Sequence, residues 1–205
     1  MVSTSGATLL PAGAVASLRC HLLPLAFILT PNLPEALLLL RGDGDGDGDD
    51  NGEAPSDDSV RVPEDMVSIA RAVARLGPKY VYLKGGHVPF IRTSPTAAPQ
   101  RAALATQKGE GEGDRVVIDV FYDAATDTAE LLENPHIATT STHGTGCALA
   151  TALASNLALG MAPVLAACEA RRYVHHAIAT APPGLGRGHG PINHLHSCYT
   201  SPFAP

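Results

Sequence analysis

The sequence has 205 residues, a formal net charge of −6, 45% hydrophobic residues and 17% charged residues, which suits a globular protein with one sizeable domain or two small ones. Eight acidic residues lie between residues 42 and 59, so the rest of the chain is close to neutral and its charge identifies no partner. Aromatic residues make up 4%, Trp is absent and basic residues are scattered, which argues against a nucleic-acid partner. No apolar run reaches eighteen residues, and the amino terminus lacks the basic start of a secretory signal, so we expect no membrane association.

The four cysteines, Cys20, Cys147, Cys168 and Cys198, lie far apart and form no C-x-x-C pair. This spacing argues against a disulfide framework or a zinc ribbon. It is typical of a protein in a reducing compartment, so we expect a cytoplasmic location.

Helix-like and strand-like segments alternate along the chain. Apolar residues at helical spacing, such as Met66, Ile69 and Val73, indicate amphipathic helices, whereas short apolar runs indicate buried strands. In chain order we predict a helix over 9–23 ended by Pro24, a strand over 25–29, a turn over 30–34, helices over 35–40 and 63–76, strands over 80–83 and 116–122, a turn over 123–127, a partner strand over 128–132, a helix from the glycine-rich segment near 144 to Gly160, and a helix over 163–180. This alternation, with at least one antiparallel hairpin, predicts an α/β fold.

Two segments interrupt the alternation. Residues 42–60 hold an Asp-Gly repeat, and residues 92–114 are rich in Ala, Gly and Thr. Because such segments bury little apolar surface, we expect two disordered surface insertions.

The segment that points most directly to chemistry is His143-Gly144-Thr145-Gly146-Cys147, at the start of a predicted helix. Two glycines let the backbone bend tightly and present N–H groups without obstruction. The helix start adds N–H donors and a partial positive charge, which together suit a phosphoryl group. The pattern is not a Walker motif, and alone it more often marks a glycine-rich helix start that binds nothing.

Five ordered segments decide between these readings, because they resemble the hydroxymethylpyrimidine/phosphomethylpyrimidine kinases of the ribokinase-like superfamily. Thr142–Gly160 (THGTGCALATALASNLALG) resembles that family's T-H-G-T-G-C helix, with Cys147 where most ribokinase relatives carry Asp. The other matches are MVSTSGATLL at 1–10, TPNLPEA at 30–36, LKGGH at 83–87 and GHGPINH at 188–194, with DVFYD at 119–123 also fitting. The resemblance implies that residues 1–205 form a partial kinase domain, a ribokinase-like three-layer α/β/α sandwich that is incomplete at its amino-terminal side.

The resemblance also implies an activity and a nucleotide site. The family's kinases use ATP and Mg²⁺ to phosphorylate 4-amino-5-hydroxymethyl-2-methylpyrimidine and its phosphate in thiamine biosynthesis. Asn32 and Glu35 match the motif whose carboxylate helps to hold Mg²⁺ through water. Lys84, Gly85 and Gly86 match a turn near the nucleotide phosphates. Each position also has a plain structural reading, since an acid suits the first turn of a helix and a lysine suits a solvated strand end.

The same resemblance assigns the catalytic groups. Gly144, Thr145 and Gly146 would supply the anion hole, the last two also binding nucleotide, and Cys147 would take the position of the catalytic base. A phosphate monoester has a second pKa of roughly 6 and is largely ionised at neutral pH, so it needs less help from a base than an alcohol does. Cysteine therefore suits a phosphate acceptor better than an alcohol acceptor. The alternative is that Cys147 is a buried, unreactive residue.

The family's enzymes have a substantial segment before the position that Met1 matches. That segment carries several strands of the sheet and most of the pyrimidine pocket. Without it, a sheet edge has unpaired backbone groups and apolar helix faces lack cover, so we expect the chain alone to aggregate or to need a complementing amino-terminal half. The family also implies a homodimer. Two other functions stay open: a pyridoxal kinase-like enzyme, and a catalytically inactive nucleotide-binding fragment.

Overall fold

The computed structural model describes residues 10–41, 60–86, 89–92, 100–101, 114–185 and 188–198. The chain divides into two compact units, Met1–Pro135 and His136–Pro205. The helices and strands, in chain order, are α1 (Ala12–Ser17), β1 (Ile28–Leu29), α2 (Leu33–Leu40), α3 (Pro63–Ala74), β2 (Tyr80–Leu83), β3 (Phe90–Arg92), β4 (Gln100–Arg101), β5 (Asp114–Asp123), β6 (Thr128–Pro135), α4 (Thr145–Ala158) and α5 (Pro163–Ala179). This alternation of helices and strands confirms the predicted α/β class.

The first helix is present, but the strand predicted after it is largely absent. α1 continues as a π-helical turn over Leu18–Leu22 and a 3₁₀ turn over Leu23–Leu25. The predicted strand over 25–29 is wrong at its start, since Leu25 lies in that turn and is 81% exposed. The Ala26 N–H donates to the Leu23 carbonyl at 3.1 Å, and this hydrogen bond closes the 3₁₀ turn. Only two residues remain to form β1.

The first unit is built on a mixed sheet with β5 at its centre. β5 pairs antiparallel with β6 over its last eight residues, and the turn between them lies at the predicted position. The opposite edge of β5 pairs antiparallel with β3 near its start and with β2 near its end. β1 then runs parallel to β2, and β4 runs antiparallel to β3. A parallel β1–β2 pair requires a crossover connection, which α2 and α3 supply.

The apolar core of this unit lies against α2 and α3. Met66 and Val73 on α3 are fully buried, as the helical spacing predicts. They pack in one cluster with buried residues of β2 and β5, including Leu83 and Ile118. A smaller cluster joins α1 to α2 through Val15, Leu23 and Leu39.

The second unit packs two helices against a carboxyl-terminal segment. α4 ends before Gly160, which has a φ of 87° and therefore favours glycine. Ala148 of α4 and Ala177 of α5 form a buried cluster with Ile192. The Asn193 N–H donates to the Ala177 carbonyl at 2.9 Å, which fixes the carboxyl-terminal segment to the end of α5.

The two predicted insertions lie largely outside the described residues. Of residues 42–60, only Val60 is described, and it is fully buried in the core of the first unit. Of residues 92–114, Arg92 and Asp114 pair with each other at the ends of β3 and β5, and Gln100–Arg101 form β4. For these described residues the predicted disorder is wrong, because burial or sheet pairing compensates for the entropy lost on ordering.

A polar cluster closes the turn between β5 and β6. Asp127 has a φ of 54°, and its carboxylate accepts hydrogen bonds from Arg71 at 2.7 Å and from the Tyr122 hydroxyl. The Tyr122 hydroxyl, followed by the Arg71 guanidinium, holds the pKa of Asp127 below its ordinary value. The hairpin is thereby joined to α3, which carries Arg71.

We expect Asp127→Asn to lower the melting temperature at pH 7, since Asn tolerates the left-handed backbone but removes the charge. Because the folded-state pKa of Asp127 is depressed, its contribution is present above the unfolded-state pKa of about 3.9 and is lost as the pH falls through the folded-state value. The difference in Tm should therefore be full at pH 7 and shrink below about pH 4. Thermal unfolding followed by circular dichroism measures it. Glu130→Gln, at an exposed position of β6, is the control; equal Tm values for Asp127→Asn and wild type at pH 7 would contradict the expectation.

Candidate active site

Asn32 and Glu35 form a reciprocal cap at the start of α2. The Asn32 Oδ1 accepts a hydrogen bond from the Glu35 N–H at 2.8 Å, and the Glu35 Oε2 accepts one from the Asn32 N–H at 2.9 Å. Pro34 fits the first turn, where its missing N–H costs nothing, so α2 begins at Leu33 and not at Glu35 as predicted. The cap fixes the Glu35 carboxylate at the positive end of the helix.

Lys84 reaches the same place from the neighbouring strand β2. Its N–H donates to the Pro31 carbonyl at 2.9 Å, and it forms an isolated parallel bridge with Asn32. The Lys84 Nζ lies 4.0 Å from the Glu35 Oε2, and the two side chains are 23% and 16% exposed. The structure thus brings together the lysine expected near the nucleotide and the pair expected near the metal.

The arrangement of Asn32 and Glu35 fits a water-mediated contact with Mg²⁺ better than a cage of protein ligands. The Asn32 Oδ1 and one oxygen of Glu35 are engaged in the cap. Mg²⁺ usually keeps several waters and binds proteins through one or two carboxylates. Within the described part of the chain, no group of three His, Cys, Asp or Glu residues is placed to hold a metal ion. Asn32 therefore has a defined role in capping, while its role in metal binding stays a prediction.

The glycine pair after Lys84 contains one crowded position and one open position. A Cβ added to Gly85 would lie 1.9 Å from the Ile118 carbonyl oxygen, whereas Gly86 is exposed and has open space around it. The Gly85 N–H donates to the Asp119 Oδ1 at 2.8 Å. The turn is therefore packed directly against β5, at a distance that only glycine permits.

Asp119 is a polar residue of this site to which the sequence assigned no role. Asp119 is 8% exposed, and its carboxylate also accepts a hydrogen bond from the Tyr82 hydroxyl at 2.8 Å. The only signal in the sequence is one acid within the apolar run of 116–122. Its partners are 34 and 37 residues away, so the spacing could not identify them.

The glycine-rich segment of the second unit forms the expected start of a helix. Gly144 adopts a φ of 90° as the residue before α4, and its carbonyl accepts the Ala148 N–H at 2.9 Å. Thr145 turns back on the preceding loop, since both its N–H and its hydroxyl donate to the Thr142 carbonyl. The N–H groups of Gly146 and Cys147 have no hydrogen-bond acceptor among the described residues.

This geometry defines which groups of the predicted anion hole are available. The N–H groups of Gly144, Gly146 and Cys147 have no acceptor among the described residues, and the last two lie in the first turn of α4, whereas the Thr145 N–H is already engaged. The Cys147 side chain is exposed and forms no disulfide. The alternative of a buried cysteine is therefore wrong, because Cys147 is exposed whereas Ala148 and Leu149, which follow it on α4, are buried; the reactivity of Cys147 stays a prediction.

The carboxyl-terminal segment lies against the loop that precedes α4. The His143 N–H donates to the Gly190 carbonyl at 3.1 Å, and a Cβ on Gly190 would lie 2.7 Å from the Ser141 Oγ. The His194 Nε2 lies 3.9 Å from the position that a Cβ on Gly144 would occupy. No pattern in the sequence predicts this contact, which joins segments about fifty residues apart and restricts the backbone of the glycine-rich loop.

Among the described helices, none combines the length and the apolar content that crossing a membrane requires.

Comparison with known proteins identifies relatives across most of the chain. A family model described as Phosphomethylpyrimidine kinase matches residues 1–193. The chain is 38% identical over 195 residues to the thiamine biosynthesis bifunctional protein ThiED of Geobacter sulfurreducens, covering 95% of this chain and 31% of that protein. It is 36% identical over 197 residues to the hydroxymethylpyrimidine/phosphomethylpyrimidine kinase of Rhizobium meliloti, covering 96% of this chain and 59% of that protein. The chain therefore spans less than two thirds of the length of either relative.

A solved structure gives the corresponding likeness in three dimensions. The pyridoxal kinase from Staphylococcus aureus in complex with AMP-PCP and pyridoxal matches with a TM-score of 0.64 and 26% identity, covering 92% of this chain and 55% of that chain. This likeness confirms the predicted ribokinase-like fold.

Substitution of the two neighbouring glycines tests the close approach of the turn to β5. We expect Gly85→Ala to destabilise the chain by at least about 1–3 kcal/mol, because the new methyl group meets a backbone carbonyl that cannot move alone. Gly86→Ala is the matched control and should leave stability nearly unchanged. Urea denaturation measures both; a Gly85→Ala variant as stable as Gly86→Ala would show that the turn does not pack as described.

Proposed function

Because the chain belongs to the phosphomethylpyrimidine kinase family, we propose that it is an ATP-dependent phosphotransferase that acts on 4-amino-5-hydroxymethyl-2-methylpyrimidine and its phosphate. The product of the second transfer is the diphosphate used in thiamine biosynthesis. The names of the Rhizobium and Geobacter relatives support this acceptor and this pathway.

One observation carries the proposal: the start of α4 presents two backbone N–H groups without acceptors among the described residues, next to an exposed thiol. Backbone donors that are fixed before the reaction stabilise charge on a transferring phosphoryl group at no cost in reorganisation. The partial positive charge at the helix start acts in the same direction. The N–H groups of Gly146 and Cys147 would therefore receive the phosphoryl oxygens.

ATP with Mg²⁺ is the proposed phosphoryl donor. The Staphylococcus aureus pyridoxal kinase is in complex with AMP-PCP, which supports a nucleoside triphosphate for this chain. The Lys84 ammonium would contact the nucleotide phosphates, with Gly85 and Gly86 forming the adjoining turn. Mg²⁺ would supply charge neutralisation of those phosphates, held through water by the Glu35 carboxylate.

Cys147 is the proposed catalytic base. It lies in the first turn of α4 beside the two N–H donors, and its side chain is exposed. The phosphate acceptor is largely ionised at neutral pH, since its second pKa is roughly 6, so a weak base suffices for the second phosphorylation. The hydroxymethyl acceptor carries a proton that must be removed, and there the contribution of Cys147 should be larger.

A second acceptor has a specific observation in its favour. The Staphylococcus aureus pyridoxal kinase, a solved structure with this fold, is in complex with pyridoxal, so a pyridoxal kinase-like activity is the alternative. A catalytically inactive, nucleotide-binding role is the third reading, and it predicts nucleotide binding without a phosphorylated product. The cytoplasmic location, the homodimer and the complementing amino-terminal half stay predictions.

Cys147 variants test the catalytic assignment. We expect Cys147→Ala to lower kcat for the hydroxymethyl acceptor by about 10²–10⁴-fold, the usual contribution of a general base, and to lower kcat for the phosphate acceptor less. Cys147→Ser should likewise lower kcat more for the hydroxymethyl acceptor than for the phosphate acceptor. Cys20→Ala, at another exposed cysteine, is the control. A coupled assay of ADP release measures each variant; a Cys147→Ser variant that loses more activity toward the phosphate than toward the alcohol would refute the proposed role.

Glu35→Gln tests the magnesium assignment. Gln keeps an oxygen that can accept the Asn32 N–H, so the helix cap survives while the charge is lost. We expect the Mg²⁺ concentration for half-maximal activity to rise about tenfold. Loss of a residue that supports a metal ion through another ligand typically lowers metal affinity about 10- to 100-fold. Glu64→Gln, an exposed acid in the first turn of α3, is the matched control. An unchanged Mg²⁺ requirement in Glu35→Gln would exclude this role.

A further inference from the structure

Asp119 is a buried acidic residue in β5, the strand that contributes Ile118 and Val120 to the core of the first unit. It is 8% exposed, and its neighbours along β5, Ile118 and Val120, are almost completely buried. Its two oxygens accept hydrogen bonds from different groups, the Tyr82 hydroxyl at Oδ2 and the Gly85 N–H at Oδ1, both at 2.8 Å. In the sequence, these two donors flank Leu83 and Lys84.

Sheet stability alone gives little reason for a carboxylate at this position. Moving a charge out of water is costly even when it is hydrogen bonded, and an apolar residue of similar size often gives equal or greater stability. The hydrogen bond to a backbone N–H, by contrast, fixes geometry because the donor cannot rotate away from the chain. The placement of Asp119 therefore points to control over the position of the turn.

The contacts around Lys84 show what that control would govern. The Lys84 N–H is bound to the Pro31 carbonyl, and the next N–H, that of Gly85, is bound to Asp119. Two consecutive backbone N–H groups are thus held by two different segments, by Pro31 before α2 and by Asp119 of β5. The register of β2 on β5, extended by one residue, also places Lys84 opposite Asp119.

The fit between Gly85 and β5 leaves the turn little freedom. A Cβ at Gly85 would overlap the Ile118 carbonyl and approach the Met66 Cε to 3.0 Å, so the backbone approaches β5 as closely as it can. Because the Lys84 side chain begins one residue earlier, a shift of this backbone would move the lysine relative to Glu35, whose carboxylate the cap fixes independently.

We propose that Asp119 is a positioning residue that holds the Gly85 N–H and thereby directs the Lys84 ammonium toward the nucleotide phosphates. Tyr82 supports it by donating to the second oxygen of the carboxylate. The proposal rests on the proposed function, because it takes Lys84 to be a phosphate-binding residue. Asp119 would not contact the nucleotide itself but would act through the turn at residues 84–86.

Equilibrium binding of Mg·ATP to the full chain, measured by isothermal titration calorimetry, tests the proposal without requiring turnover. We expect Asp119→Ala to raise the Kd at least about tenfold, since small displacements of a binding group have large effects. Asp119→Asn should retain most of the affinity because its Oδ1 can still accept the Gly85 N–H. Tyr82→Phe should weaken binding less than Asp119→Ala, and Asp114→Ala, at the exposed start of β5, should have no effect.

A double-mutant cycle with Lys84→Met separates positioning from a merely structural role. If Asp119 acts through Lys84, Asp119→Ala should change the Kd less than about twofold once the ammonium has been removed, since residues that act as a unit are not additive. Equal effects of Asp119→Ala in both backgrounds would overturn the proposal. If Asp119→Ala fails to fold in a thermal melt, the same cycle with Tyr82→Phe decides in its place.

Failure of this proposal and failure of the proposed function give different results. A wild-type chain that binds Mg·ATP but transfers no phosphoryl group contradicts the kinase function, while a coupled Asp119–Lys84 effect on the Kd still supports the positioning role. Normal turnover with a Kd that is unchanged in Asp119→Ala contradicts the positioning role alone. A wild-type chain without affinity for Mg·ATP contradicts both.

Discussion

The pairing of β2 with β5 is the interaction on which the first unit depends. β2 is four residues long, yet it joins the parallel strand β1 to the antiparallel hairpin of β5 and β6. Directly after β2, the Lys84 N–H donates to the Pro31 carbonyl, just before α2, and the Gly85 N–H donates to Asp119 of β5. The position of Lys84 relative to Glu35 therefore follows from the sheet and from the helix cap, and not from the contact between the two side chains. The two charges are 4.0 Å apart, at the outer limit of an ion pair, so their contact does not fix this placement.

The second unit reaches a rigid helix start by different means. Gly144 takes a left-handed conformation, which removes the side chain from the loop, and Thr145 closes the loop onto Thr142. Gly190 then packs on Ser141, whose Oγ lies 2.7 Å from the position that a Cβ on Gly190 would occupy. The result is a pair of backbone donors at Gly146 and Cys147 whose directions are set by α4. Preorganised donors of this kind are what phosphoryl transfer requires from a protein, since most of the catalysis lies in positioning and electrostatics.

The sequence predicted those features that depend on neighbours along the chain. The apolar spacing of α3, the hairpin of β5 and β6, and the glycines that end α4 and precede it all follow from local pattern, and the structure confirms them. Asn32 and Glu35 match the N-x-x-E motif of the kinase family, which predicts that they act at one site. Their spacing of three residues is also that of a capping box, which the structure shows. The resemblance to a kinase family is also confirmed, because the family model matches residues 1–193, a range that includes all of the resembling segments except His194.

The errors and omissions concern contacts between distant segments. The strand predicted from Leu25 begins only at Ile28, because Leu23–Leu25 form a 3₁₀ turn before the chain pairs with β2. Composition predicts disorder at Val60 and at Gln100–Arg101, but Val60 is buried in the core and Gln100–Arg101 pair with β3. Asp119 was visible only as an acid within an apolar strand, because its donors at Tyr82 and Gly85 come from another strand.

The choice of phosphoryl acceptor is the most direct test of the account. The full chain would be incubated with ATP, Mg²⁺ and equal concentrations of hydroxymethylpyrimidine phosphate and pyridoxal, and the products followed by ³¹P NMR. We expect the resonances of a pyrimidine diphosphate together with those of ADP. Pyridoxal phosphate as the main product, or no phosphorylated product from folded chain that binds ATP, would contradict it.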